Sequence, residues 1–156
     1  MKKDVEYVDP KTNTRKRKSA KTKNETYQSL LKTCQQAQVN YKYVLNDVWF
    51  ASAENMVFVK TDLKKDFVMP LKSNRKVSLT KPTYKNHVYE SIGSVIFKED
   101  EPITIYLEDV RFPLKLVKQV FINKDKSEGI LYLVTSDPKL TYDAITKLYQ
   151  KRWKIE

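Results

Sequence analysis

The chain has 156 residues, 30 Lys and Arg against 19 Asp and Glu, and a formal net charge of +11. At 40% hydrophobic residues it can bury the core of one ordinary domain, yet it holds no run approaching the ~20 apolar residues that a membrane span requires. A single cysteine, Cys34, and a single histidine, His87, argue against an internal disulfide, a His/Cys zinc site and Ser-His or Cys-His hydrolysis. No apolar segment follows Met1-Lys2-Lys3-Asp4-Val5-Glu6-Tyr7, so a cytoplasmic setting without a secretory leader is expected. Any catalysis then falls to carboxylates, and the charge excess points to a polyanionic partner.

The charge is uneven, because residues 1–24 carry nine Lys and Arg against Asp4, Glu6 and Asp9. Val5-Glu6-Tyr7-Val8 reads as a short strand, Asp9-Pro10 as a turn, and Lys11 to Lys21 as a polar loop. Residues 1–23 are therefore a basic arm, either solvated or in contact with phosphates through Arg15, Lys16, Arg17 and Lys18. Thr22-Lys23-Asn24-Glu25 fits a capping box, and Tyr27, Leu30, Leu31, Cys34 and Ala37 recur at helical spacing, which places Cys34 in the core. Tyr41 to Asn46 has the aromatic and β-branched content of a strand, with Asp47 at its carboxyl end. Ser52 can cap a second helix presenting Ala53, Met56, Val57, Lys60 and Leu63, and Asp66–Leu71 reads as another strand. This alternation over 24–71 predicts an α/β layer with a partly parallel sheet.

From 72 to 136 only strands are expected, at Lys76–Leu79, Tyr89–Phe97, Ile103–Leu107, Leu114–Ile122 and Ile130–Val134, as a β-rich insertion set into the α/β frame. His87 belongs to a loop there. Over 137–156 a helix returns: Thr141 is its N-cap, Asp143 suits its positive end, and Ala144, Ile145, Leu148 and Ile155 supply apolar contacts. Tyr149, Arg152 and Glu156 share one face of it. Nothing in that last segment is of the type that ends a helix, and the chain reads as an internal piece of a longer protein.

Two carboxylates thus stand out, Asp47 at a strand end and Glu156 on a late helix. Acids so placed can converge across a sheet to hold divalent metals, as phosphodiester cleavage and strand transfer require. Taken as residues alone, Tyr149 is a half-buried anchor and Arg152 a surface charge.

Tyr149-Gln150-Lys151-Arg152-Trp153-Lys154-Ile155-Glu156 matches the Y-x-x-R-x-x-x-E signature, and Leu45-Asn46-Asp47-Val48-Trp49-Phe50 looks like the block that holds a second catalytic Asp. Asp66 to Lys72 and Ile130 to Asp137 follow in the same order. In these segments the chain resembles insertion-sequence DDE transposases over nearly its whole length. The resemblance implies a partial ribonuclease H-like fold with a β-rich insertion. It also implies Asp47 and Glu156 as catalytic, metal-binding acids for Mg2+ or Mn2+, and Tyr149 and Arg152 as contacts to DNA phosphate or supports of the Glu. The partners it implies are transposon-end and target DNA, with a homodimer in the intact protein and no membrane. The family's first Asp has no counterpart here, since Asp4 and Asp9 lie in the wrong context, and its downstream Lys is missing. The expected function is that of a DDE transposase catalytic-domain fragment, inactive alone. A non-catalytic basic nucleic-acid-binding module, or domesticated remnant, is the alternative.

Overall fold

A computed structural model describes residues 5–83 and 86–155. The chain divides into two compact units, residues 1–39 and 40–156.

In the first unit β1 (Val5–Val8) pairs antiparallel with β2 (Arg15–Lys18), and helix α1 (Lys23–Gln36) follows. The basic run expected as loop is therefore half of a two-stranded ribbon. Asp9 closes the hairpin, because its backbone N–H bonds the Thr14 carbonyl and its own carbonyl accepts from Asn13, which adopts φ 51°. α1 begins on the expected capping box, in which Thr22 accepts from the Glu25 N–H and the Glu25 carboxylate accepts from the Thr22 N–H. It buries none of its residues, and Leu30 is 62% exposed. Cys34 is accordingly half-buried rather than a core residue, since a stripe at helical spacing is buried only where another layer covers it.

The second unit is mixed α/β. Its main sheet has the order β3-β4-β9-β8-β7, with β3 at Tyr43–Leu45, β4 at Asp66–Leu71, β7 at Ile103–Ile105, β8 at Leu114–Ile122 and β9 at Glu128–Thr135. β3 and β4 are parallel and every other pairing is antiparallel. The crossover from β3 to β4 is α2 (Ala53–Val57), capped by Ser52 as expected and continued by a wider π turn, Phe58–Asp62. Residues 72–136 are not a separate layer, because their three longest strands extend the sheet that β3 and β4 begin. β5 (Lys76–Val77) and β6 (Glu90–Ser91) form a small outlying ladder.

Two expected strands are shorter than their composition suggests. Lys76–Leu79 keeps only β5 and a single bridge from Ser78 to Tyr106, which leaves Leu79 exposed. Tyr89–Phe97 keeps only β6 and then turns through a 3-10 segment, Ile92–Ser94. Ile92 is the one residue of that stretch in the core, and Ile96 points into water, so no neighbouring strand stabilises an extended backbone there.

Helix α3 (Tyr142–Trp153) starts at Thr141, whose hydroxyl accepts from the Ala144 N–H. Ile145 and Tyr149 pack with Val68, Val117 and Leu133 on one sheet face. Phe67, Met69, Leu116 and Val134 alternate to the other face and are fully buried. Both faces of β4 are thus covered, which explains its unbroken apolar run. Ile155, expected to add apolar contacts, is exposed beyond the helix end.

Candidate functional site

Parallel pairing brings the carboxyl ends of β3 and β4 to the same edge of the sheet, the edge at which open α/β sheets bind ligands. Asp47 stands there. It caps a three-residue 3-10 turn, Val48–Phe50, and its Oδ1 accepts the Trp49 N–H at 3.1 Å. α3 reaches the same place from the far end of the sequence. The buried Tyr149 hydroxyl donates to the Asn46 carbonyl at 3.2 Å, and one turn later Arg152 Nη2 lies 3.3 Å from Asp47 Oδ2.

The Arg152 guanidinium also sits 5.7 Å from the centre of the Tyr149 ring, and Trp153 meets that ring edge-on at 5.7 Å. Three of the residues singled out in the sequence, Asp47, Tyr149 and Arg152, are therefore neighbours. Tyr149 is more deeply buried than the residues alone suggest, and Arg152 is mostly covered instead of lying on the surface. Glu156 lies outside the described residues.

The fit to a divalent metal can be judged from the donors on this edge. Each Asp47 oxygen already faces a cationic or N–H group, and among the described residues no group of three His, Cys, Asp or Glu could hold a metal ion. The described residues do not by themselves fit a two-metal centre, and no chemical step is derived through one.

Sequence reasoning missed several contributors. Asn46 is buried, and its amide donates to the Asp47 carbonyl at 2.8 Å, which stiffens the strand end. Beside Asp47 a cleft of about 320 Å3 is lined by Trp49, Pro70, Leu71, Lys72 and Arg75 among others. Arg75 Nη1 donates to the Ala51 carbonyl at 2.9 Å, and burial lowers its pKa, although a guanidinium remains charged at any ordinary pH. The signal for these residues was present in the basic Lys72-Ser73-Asn74-Arg75 turn directly after an apolar strand.

A second polar cluster occupies the opposite edge. The Tyr43 hydroxyl donates to Asp137 Oδ2 at 2.6 Å, while Lys60 Nζ and Ser136 Oγ each donate to Asp66 Oδ1 at 2.7 Å. Burial, then the bond to Asp137, pushes the Tyr43 pKa up to about 12. The same bond holds Asp137 below the usual carboxylate range.

His87 is in a loop, as expected, with Nε2 2.6 Å from Ser78 Oγ. The single Ser78 hydroxyl proton goes to the Thr80 carbonyl, so His87 is the donor to Ser78 and the serine is clamped, not activated.

In the first unit, Lys16, Arg17 and Lys18 of β2 are engaged within the hairpin. Lys16 is ion-paired with Asp9, Arg17 Nε and Nη2 both reach Glu6 Oε1 at 3.2 Å, and Lys18 Nζ lies 5.1 Å from the Tyr7 ring centre. All four basic residues of β2 remain exposed.

No protein-family model matches the chain, and no curated protein matches it. Among the described residues no helix is long and apolar enough to cross a membrane.

Proposed function

We propose that this chain is part of the DNA-handling core of a DDE-type transposase, with β3, α2, β4 and α3 as elements of a ribonuclease H-like core. The observation that carries the reading is the meeting of Tyr149 and Arg152 with the Asn46-Asp47 strand end. The two motifs are separated by about two thirds of the chain, and their proximity is what the resemblance requires. The mixed sheet, with its parallel β3-β4 pair, is compatible with that core. DNA is the partner, the setting is cytoplasmic, and the Mg2+ or Mn2+ of this reading would need carboxylates beyond Asp47. Within this reading Arg152 orients Asp47 and offers charge to a passing phosphate, and Tyr149 fixes the helix against the strand.

Within this reading the family's first Asp has no counterpart in the sequence, so the isolated chain is expected to bind DNA without cutting it. Supercoiled plasmid incubated with Mg2+ or Mn2+ tests this. Nicking that disappears in Asp47→Ala would overturn the expected inactivity, and absence of any salt-sensitive DNA binding would overturn the DNA reading itself. The second reading, a non-catalytic basic nucleic-acid-binding module, is favoured by one observation, the exposed run of four cations on β2. Reading the coding DNA on both sides for a strand bearing a further Asp, and for a Lys downstream of Glu156, separates the two.

A further inference from the structure

The end of the sheet opposite Asp47 carries a cleft of its own, about 420 Å3, where the amino end of β8 meets the carboxyl end of β9. Tyr106, Phe112, Pro113, Leu114 and Pro138 give it apolar and aromatic walls. Phe112 is set by tilted packing on the fully buried Phe67, their ring centres 6.3 Å apart. A volume in this range suits a small organic molecule more than a lone ion.

The charged part of the lining is cationic: Lys60 and Lys115 line the cleft and no carboxylate does. Lys60 is the middle residue of the π segment Phe58–Asp62, a wide turn of a kind that recurs at functional sites, and its Nζ donates to Asp66 Oδ1 at 2.7 Å. Lys115 Nζ donates to the Pro138 and Leu140 carbonyls, each at 2.8 Å. An ammonium has three N–H donors, so these two bonds leave Lys115 one for a further acceptor. Asp66 balances Lys60, whereas the carbonyls on Lys115 are uncharged, and together the two ammoniums exceed that carboxylate by one positive charge. Thr135 lines the same cleft and is fully buried. Its Oγ1 accepts the Asp137 N–H at 3.1 Å, which turns the hydroxyl proton toward another acceptor.

We propose that this cleft binds a small free carboxylate with an apolar body, its carboxylate between Lys60 and Lys115 and its body against Phe112 and Tyr106. One excess positive charge matches a monoanion. A phosphate dianion would bring a second, unbalanced charge, and the apolar walls offer its remaining oxygens no donors. Thr104, Lys115 and Thr135 stand in one cross-strand row on β7, β8 and β9, so the ligand ties three strands to the loop before α3 and stabilises the fold by mass action. The cleft lies away from the Asp47 edge, and the proposal does not depend on the DNA reading.

Calorimetric titration of the full chain at physiological salt tests it, with phenylacetate, its neutral amide, acetate and inorganic phosphate as probes and the Tm of each mixture measured in parallel. Phenylacetate should bind and raise the Tm. The other three should each bind about tenfold or more weakly, because the amide lacks the charge, acetate the body and phosphate the apolar fit. Lys60→Gln keeps a donor for Asp66 and removes the cation, and should weaken phenylacetate about tenfold. Thr104→Phe, at an exposed position on the edge strand β7, fills the cleft from its rim and should abolish binding with little change in the Tm of the free protein.

Amide binding as tight as that of the acid would overturn the anion site and leave only an apolar cleft. Phosphate binding as tight as phenylacetate would overturn the apolar carboxylate in favour of a general anion site. A peptide ending in phenylalanine that binds more tightly than phenylacetate would overturn the free small molecule in favour of a chain terminus. Unchanged affinity in Lys60→Gln, or neither heat nor Tm shift with millimolar phenylacetate, would overturn the proposal outright.

Discussion

The Arg152 guanidinium lies 3.3 Å from the Asp47 carboxylate across 105 residues of sequence, one helical turn past the Tyr149 hydroxyl bonded to Asn46. The two contacts differ in kind. Tyr149 is buried, and its bond satisfies a carbonyl in the interior, whereas the Asp47 side chain keeps 43% of its surface in water. Solvent screens the ion pair, so the tyrosine carries the docking of α3 and the arginine holds the orientation of the Asp47 side chain.

Tyr149→Phe should therefore destabilise the fold by about 1–2 kcal/mol, through loss of a buried hydrogen-bond donor, while Arg152→Gln should cost under about 1 kcal/mol. Urea denaturation of both variants checks the order. A larger loss in Arg152→Gln than in Tyr149→Phe would mean that the ion pair, not the hydroxyl, anchors the helix.

Tyr43 and Asp137 link stability to pH at both extremes. The Asp137 pKa is lowered in the fold, so its contribution is present above the unfolded value of about 4 and is lost as pH falls through the lower folded value. The Tyr43 pKa is raised, so its contribution is complete below the unfolded value of about 10 and is lost as pH rises through about 12. Tyr43→Phe should cost about 1.5–3 kcal/mol between pH 5 and 9, in keeping with a hydrogen bond to a charged group. That difference should shrink in acid and in strong base. A constant difference from pH 2 to 12 would show that the bond contributes nothing to the linkage.

The basic hairpin predicts salt-dependent binding. Each phosphate contact on duplex DNA contributes a slope of about −0.9 in log K against log salt. Replacing Arg15, Lys16, Arg17 and Lys18 by Ala should flatten the slope by roughly 2–4 units with little change in sequence preference. The pairing with Asp9 and Glu6 adds a second expectation. Asp9→Asn and Glu6→Gln release Lys16 and Arg17 from competing carboxylates and should tighten binding at low salt. An unmoved slope in the quadruple variant would remove the hairpin from the DNA contact.

Helix α1 ends on a residue that is poorly suited to its backbone. The Val39 N–H bonds the Cys34 carbonyl and the Gln38 N–H bonds the Gln35 carbonyl, a Schellman pattern that places Gln38 at φ 57°. A side chain in this left-handed region is disfavoured by about 1–2 kcal/mol. Gln38→Gly should stabilise the helix by about 1 kcal/mol, read as slower amide exchange over Lys23–Gln36. Faster exchange would show that the glutamine side chain contributes more than its backbone costs.

Much of this architecture was determined by local chemistry that the sequence displays. The Thr22/Glu25 capping box, Ser52 and Thr141 as caps, the apolar run of β4 and the span of β8 all depend on groups a few residues apart. The basic run of β2, the two shortened strands and the half-buried Cys34 were not legible, because pairing and burial depend on which edge or layer lies opposite, and composition does not specify that. The same holds for the site. The motifs around Asp47 and Tyr149 could be read one at a time, but only the tertiary structure decided that the parallel β3-β4 pair and α3 bring them together. Only that structure, too, set Trp49 outward beside Lys72 and Arg75. A side chain's neighbours across the sheet are fixed by strand order and register, which are properties of the whole chain and of no single segment.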